Sequence, residues 1–270
     1  MLTDEPGLLD DAAIETILTR GELELEGRLV AASNASFLGR VTLDHVSIAC
    51  VYKPVAGERP LWDFPEGSLA GRERAARVVS EAAGFQVVPP TVLRDGRFGP
   101  GMCQRWVHVD PDQARVDVVE ADFDEPGWIP VLAAEDRDDN PVLLVHADDE
   151  ALRDMAVFDV VINNADRKGG HVLVESAGDL WGCDHGVSFH EDPKLRTVLW
   201  GWAGEPLRGR DREALQRLRH RCRNGLDEEL SEWLSGVEVG ALGYRLHRLL
   251  DSDEMPTPSG SWPAIPWPAF

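Results

Sequence analysis

The stretch Phe158–Phe189 reads FDVVINNADRKGGHVLVESAGDLWGCDHGVSF. Its first residues close an apolar helix, which stops in Asn163-Asn164-Ala165-Asp166-Arg167. Two short β-type runs follow, His171–Glu175 and Asp179–Cys183, with a turn at Ala177-Gly178. Asp184-His185-Gly186 bounds the far end. Asp166 and Asp184 therefore stand at opposite ends of one hairpin, and closing a hairpin brings its ends together. Two carboxylates so placed suit phosphoryl transfer, whose catalysis is mostly positioning and charge neutralisation. Asp166 would take a substrate proton as general base. Asp184 would hold Mg²⁺, a hard cation that prefers carboxylate, water and phosphate oxygens. Each alone has a plainer reading: a turn salt bridge for Asp166-Arg167, an ordinary turn for Asp-His-Gly. Together, downstream of a strand lysine, they carry more.

That lysine is Lys53. Upstream, Glu22–Val30 alternates polar and apolar residues, the period of a half-buried strand. The small polar stretch Ala32–Ser36 follows, then β-type runs at Phe37–Leu43 and His45–Tyr52, the second ending at Lys53-Pro54. The turn of this hairpin could lie over a ligand. Residues 68–83 read as a helix, with Ser68 as N-cap, an apolar stripe through Ala75, Ala76, Val79, Ala82 and Ala83, and Gly84 as the stop. Glu73, one turn in, is the natural partner for the Lys53 ammonium. The plainer readings are an edge lysine that discourages sheet pairing and a Glu73–Arg77 surface pair. Thr91–Leu93 and Met102–Val107 read as further strands.

Residues 110–154 carry fifteen acids against three arginines, the pattern of a solvated face. Helix is expected again at Glu150–Ile162, where Asp159 and Asn163 fall on the inner side with Met155 and Ala156. Polar groups on an apolar face need hydrogen bonds, and these two would fix the Asn164–Lys168 loop. The segment 210–250 is helical twice over. The tail from Asp251 holds five prolines with Trp262 and Trp267, and is either disordered or strapped onto the body by its aromatics.

The whole chain has 270 residues and a formal net charge of -21. That argues against a nucleic-acid binder, which needs a basic face, and disfavours docking on anionic lipid, while leaving room for a local basic pocket. No apolar run approaches the ~20 residues of a membrane span, and the acidic start lacks a signal-peptide pattern. Cys50, Cys103, Cys183 and Cys222 show no C-x-x-C spacing and read as free thiols of a reducing compartment. The expectation is a cytoplasmic protein.

The ordered set Ser33-Asn34-Ala35-Ser36-Phe37, Val51-Tyr52-Lys53-Pro54, Val88-Pro89-Pro90-Thr91, Phe158-Asp159 with Asn164-Ala165-Asp166-Arg167, and Asp184-His185-Gly186-Val187-Ser188-Phe189 resembles atypical kinases. The wording is most similar to type II phosphatidylinositol 4-kinases and their bacterial relatives, including an actinobacterial phosphatidylinositol 3-/4-kinase-like group. Trp200-Gly201-Trp202 adds an echo. The likeness runs from about residue 20 to 210.

The resemblance implies an α+β, two-lobed protein-kinase-like fold with ATP in the cleft. Residues 1–108 would form a small β-rich N-lobe, 109–250 a mainly helical C-lobe, and 251–270 a Pro/Trp-rich tail. Ser33, Asn34 and Ser36 match the loop over the phosphates, although it has no glycine between Arg28 and Gly39. Lys53 matches the phosphate-binding lysine and Glu73 its partner. Backbone around Gln104 and Trp106 would hold adenine. Asp166 matches the catalytic aspartate and Asp184 the metal aspartate. Arg167, Lys168 and Arg105 would add positive charge beside the phosphates, with Gly169-Gly170 allowing close backbone approach.

One departure concerns metal. Where related kinases carry a metal-binding asparagine, five residues after the catalytic aspartate, this chain has His171. Either His171 ligates metal and shifts preference from Mg²⁺ toward Mn²⁺, or one site is lost, or Asn163 or Asn164 supplies an amide, or His171 simply packs. The implied activity is ATP-dependent phosphoryl transfer to a protein or small soluble hydroxyl, with autophosphorylation included. A nucleotide-binding pseudokinase and an AMP-transferring enzyme are the alternatives. A lipid acceptor lacks support in the residues. A metal hydrolase built on Asp184, His185 and His190 is a further reading.

Overall fold

The computed structural model describes residues 2–3, 9–29, 34–260 and 262–270. Its N-terminal part is built on one antiparallel sheet. The strands are β1 (Leu2–Thr3), β2 (Glu22–Arg28), β3 (Phe37–Leu43), β4 (Val46–Pro54), β5 (Thr91–Gly96) and β6 (Gly99–Arg105), in the order β2-β3-β4-β6-β5, with β1 parallel to β4. β4 is central and buried along nearly its whole length, from Ser47 to Tyr52. Lys53 falls at its end, where the side chain can leave the sheet.

Two helices accompany this sheet. α1 (Asp11–Arg20), a helix not among the elements expected from the sequence, is capped by Asp10 and packs Ile17 and Leu18 onto the sheet. α2 (Leu69–Ala83) ends at Gly84, whose φ of 76° suits the glycine stop. Its Ser68 does not cap by side chain; Glu58 does so instead, accepting from the Leu69 and Ala70 N–H groups at 3.1 and 2.9 Å.

The second part opens with a sheet hidden within the acidic run. β7 (Val116–Glu120), β8 (Trp128–Glu135) and β9 (Pro141–Ala147) form a three-stranded antiparallel sheet in the order β7-β9-β8. The acidic run does face solvent, as expected. Its central strand nevertheless buries Leu144, Val145 and His146. His146 accepts from the Gly201 N–H at 3.0 Å, and its ring lies 4.3 Å from that of Trp202. The Trp200-Gly201-Trp202 motif is thus a packing device.

α3 (Glu150–Ile162) is followed by the hairpin β10 (Val172–Val174) and β11 (Leu180–Gly182), then α4 (Gly209–Arg221), α5 (Asp227–Leu230) and α6 (Gly236–Ser252). The long helical segment is broken around Asn224 and Gly225, the latter at φ 105°. α6 restarts with a capping box between Ser235 and Glu238. The architecture is α+β, sheet-rich toward the N-terminus and helical toward the C-terminus. Among the described residues no helix is long and apolar enough to cross a membrane. All four cysteines are free thiols.

The core explains how the two parts are joined. A small cluster (Ile17, Leu18, Val41, Ile48, Cys50, Val92, Cys103) serves the first sheet. The large cluster unites α3, α4 and α6 and also takes in Ala75, Ala76, Val78, Val79 and Ala83 of α2. The small side chains of α2 let it pack against the helical part while it carries Glu73 toward the sheet. Arg72, 1% exposed, pins it further, bonding the Ser188 carbonyl at 2.6 Å and the Glu238 carboxylate.

The tail is strapped down. Ala264 O accepts from Thr197 N (3.0 Å) and Trp200 Nε1 (2.8 Å), and Ala269 O accepts from Gly169 N (2.8 Å). Trp262 contributes its ring, whereas Trp267 is 82% exposed and does not. Gly169 packs directly under the Phe270 ring, which a Cβ would displace. Its close approach is to the strap.

Glu238 provides a test of the α2–α6 joint. Burial would raise its pKa, but the Arg72 hydrogen bond and charge outweigh this and lower it. Its stabilisation is therefore complete above the unfolded carboxylate's ordinary value and is lost as pH falls through the lower folded value. Glu238→Gln leaves the Arg72 charge buried and should cost about 3 kcal/mol at neutral pH. In denaturant titrations the gap to wild type should be full above about pH 5 and shrink toward zero in acid.

Candidate active site

Three elements meet at Lys53. Its Nζ donates to Glu73 Oε1 of α2 at 3.0 Å and to Asp184 Oδ1 beyond β11. Burial alone would pull the lysine pKa down, but the Asp184 and Glu73 carboxylates outweigh it and hold it above the ordinary value. Glu73 is buried; burial opposes its ionisation, yet Lys53 and His185 bring its pKa down to about 2. Lys53 also holds the Asp184 carboxyl far below its usual value. Both Glu73 oxygens are spent, the second accepting from the His185 N–H at 2.9 Å. Glu73 thus orients Lys53 and presents no free oxygen to a ligand.

The hairpin closes as the sequence implies. Val172 pairs with Gly182, and Cys183 N donates to His171 O at 3.1 Å. Asp184, at φ 58°, turns the chain back. Its Oδ2 lies 3.4 Å from His171 Nε2. Burial lowers the His171 pKa despite that carboxylate, so the ring is neutral near pH 7. Its Nδ1 accepts from Lys168 N at 3.4 Å, which leaves the Nε2 proton facing Asp184.

Asp159 organises the loop that carries Asp166. It is fully buried and accepts from Asn164 Nδ2 (2.9 Å), Arg167 Nε and Nη2 (3.0 and 2.9 Å) and Thr197 Oγ1 (3.1 Å). Asn164 Oδ1 in turn accepts from Asp166 N at 3.0 Å. Asn163, in the left-handed region at φ 54°, anchors the later segment instead, bonding His190 O, Asp192 O and Lys194 N. Both asparagine amides are therefore consumed, and neither can act as a metal ligand. The Asp166 carboxylate is partly exposed between Lys168 Nζ at 3.7 Å and Arg196 Nη2 at 4.0 Å.

Several expectations need correction. Arg167 does not face the cleft: it is fully buried, bound to Asp159, the Cys183 carbonyl (3.0 Å) and His185 Nε2 (2.8 Å). Arg105 is paired with Glu175 at 2.8 and 3.1 Å. The Gln104 side chain donates to Thr91 Oγ1 at 2.8 Å, and β6 has strands on both sides at that residue, so its polar groups belong to the sheet. Trp106 N donates to Ala49 O at 3.0 Å. His185 and His190 do not converge, and among the described residues no cluster of three or more His, Cys, Asp or Glu could hold a metal ion. Ser33 lies outside the described residues.

Two cavities flank Lys53 and share Ser36, Lys53 and Asp184. One, about 130 Å³, is lined by Asn34, Glu58, Glu73, Met102 and Gly186. The other, about 210 Å³, is mostly apolar, with Leu29, Val51, Trp106, Val107 and Leu173 on its walls. Asn34 and Ser36 stand over them in a loop held by Ala35 N→Gly57 O and Arg59 N→Asn34 Oδ1, at 3.0 and 2.9 Å. An apolar slot beside a cluster of fixed charges suits a ligand with an apolar end and a polar end.

The sequence offers His185 only as a metal ligand beside His190, and no local signal marks its place between Arg167 and Glu73. Arg167 donates to its Nε2, so the proton sits on Nδ1, 3.7 Å from Glu73 Oε2. A polar chain thus runs Asp159–Arg167–His185–Glu73–Lys53–Asp184 through both parts of the molecule.

The fold and site define an α+β chain with a charged cleft where a strand lysine, a helix glutamate and a hairpin aspartate converge. The chain belongs to the same family as Protein Rv2133c of Mycobacterium tuberculosis, with which it is 50% identical over 263 residues, 94% of either chain. No protein-family model matches it. Among solved structures it overlaps the Helicobacter pylori proinflammatory kinase CtkA, at 12% identity and a TM-score of 0.44, over 88% of this chain and 94% of that one.

The place of Arg167 is testable. Arg167→Met strips Asp159 of its cation in a buried site and should cost ~3–5 kcal/mol, read as an earlier denaturant midpoint. An unchanged midpoint would return Arg167 to a ligand-facing role.

Proposed function

We propose that this chain is an ATP-dependent phosphotransferase that moves the γ-phosphoryl group to a hydroxyl of a protein or small soluble acceptor, itself included. The observation that carries the reading is Lys53 held between Glu73 and Asp184 at the junction of two cavities, one polar and one apolar. The apolar slot would take adenine against Trp106 and Val51. The polar side would take the phosphates, with Lys53 on their oxygens and Lys168 adding charge. The loop over them contributes Asn34 and Ser36, with Ser33 proposed beside them.

The Asp184 carboxylate would hold a divalent cation, Mg²⁺ or Mn²⁺, with phosphate oxygens and water completing the shell. His171 would join it as a ligand only by giving up its Nε2 proton to Nδ1, which now accepts from Lys168 N. When bound, such a cation neutralises charge on the transferring group. The other steps belong to side chains. Asp166 accepts a hydrogen bond from the acceptor hydroxyl and takes its proton as the new oxygen–phosphorus bond forms and the bond to the β-phosphate oxygen breaks. Glu73 keeps Lys53 aimed, and Asp159 keeps the Asp166 loop in place.

A nucleotide-binding module without transfer is the second reading, favoured by His171 at the position where related kinases hold metal with asparagine. Intact-mass spectrometry after incubation with ATP and Mg²⁺ or Mn²⁺ separates the two. Wild type should gain a phosphoryl adduct, or turn over ATP with a soluble alcohol. Asp166→Ala should lower transfer by about a hundredfold or more while nucleotide still binds. An adenylyl adduct, or tight nucleotide binding with no product under either metal, would overturn the proposal.

The slot makes a separate prediction. Trp106→Ala should weaken ATP binding by about tenfold through lost aromatic contact, with little change in the transfer rate at saturation.

A further inference from the structure

The chain contains 27 Lys and Arg residues, and only three of them are lysines: Lys53, Lys168 and Lys194. Where a surface cation suffices, this sequence uses arginine. A lysine offers something different, a compact ammonium with three donors that fits where a planar guanidinium does not. Lys53 and Lys168 are at the proposed site. Lys194 is 4% exposed and belongs to the segment that follows Asp184-His185-Gly186.

Its surroundings come from three distant parts of the sequence. Nζ is bonded to the Asp63 carboxylate. It lies 4.6 Å from the Trp62 ring centroid, 6.0 Å from that of Phe64 and 5.3 Å from that of Trp262. Trp62, Asp63 and Phe64 sit on the loop between Lys53 and α2. Trp262 is on the C-terminal strap. A cation among aromatic faces with one carboxylate is a specific, partly desolvated arrangement. Nothing in the phosphoryl-transfer mechanism uses it.

Two residues on, Arg196 meets the catalytic loop. Its Nε donates to Ala165 O at 2.6 Å, its N to Asn164 O at 2.9 Å, and its O accepts from Arg167 N at 3.0 Å. Its guanidinium reaches Asp166. We propose that Lys194 is a positioning residue: its caged ammonium latches the 55–68 loop and the strap onto the segment that sets Arg196 beside Asp166. The catalytic part of this inference rests on the phosphotransferase reading, whereas the latch itself does not.

Hydrogen exchange on the full chain tests the latch directly. Lys194→Met keeps the stem and removes the charge. Exchange should rise together in residues 55–68, 190–197 and 262–269, while α3 and α4 stay protected. Asp63→Asn should do the same, and the double variant should add little to either single change. A rise confined to the neighbours of residue 194, or additive effects, would overturn the latch.

The positioning role is read in turnover. Lys194→Met should lower kcat roughly tenfold to a hundredfold with ATP affinity unchanged, because a slight misplacement at the reacting centre is costly. Unchanged kcat alongside raised exchange would overturn that role. If wild type transfers no phosphoryl group, the function proposal fails while the exchange result still decides the latch.

Discussion

A carboxylate with no exposure sits at the centre of this molecule. Removing Asp159 from water carries a large desolvation cost, which only a full set of donors can offset. Arg167 provides a two-nitrogen grip, with Asn164 and Thr197 completing the set. Each donor comes from a segment that would otherwise be free to wander. Asn164 and Arg167 flank Asp166, and Thr197 belongs to the segment after Asp184. Satisfying one buried charge therefore fixes the loop on which the proposed chemistry depends.

From that point the order spreads through charge. Arg167 extends to His185, His185 to Glu73, and Glu73 to Lys53. The helix that carries Glu73 is itself packed into the core of the helical part by alanines and valines. The sheet and the helical part thus share an apolar joint and a polar one. The polar joint ends at Lys53 and Asp184, between the two cavities.

The exterior has the opposite character. A net charge of -21 sets up self-repulsion and a field that discourages anionic ligands. Each of the three lysines is partly or fully buried against a carboxylate. Binding of a polyphosphate would then rest on a few local cations and a divalent ion, where low exposure strengthens each contact.

Much of this was legible in the sequence. The apolar strand that ends at Lys53, the helical stripe around Glu73 and the hairpin between Asp166 and Asp184 are local patterns set by backbone geometry, and each appears where its residues indicate. What the sequence left open depends on partners far along the chain. An arginine beside an aspartate reads alike whether it points to solvent or to Asp159. The acidic run hid a sheet because its exposed faces dominate its composition. The lysine cage unites residues 62–64, 194 and 262, which no local pattern connects. Local periodicity determined the elements and the candidate residues. Only tertiary packing decided which charges are buried and paired, because desolvation is paid or avoided by groups that become neighbours on folding.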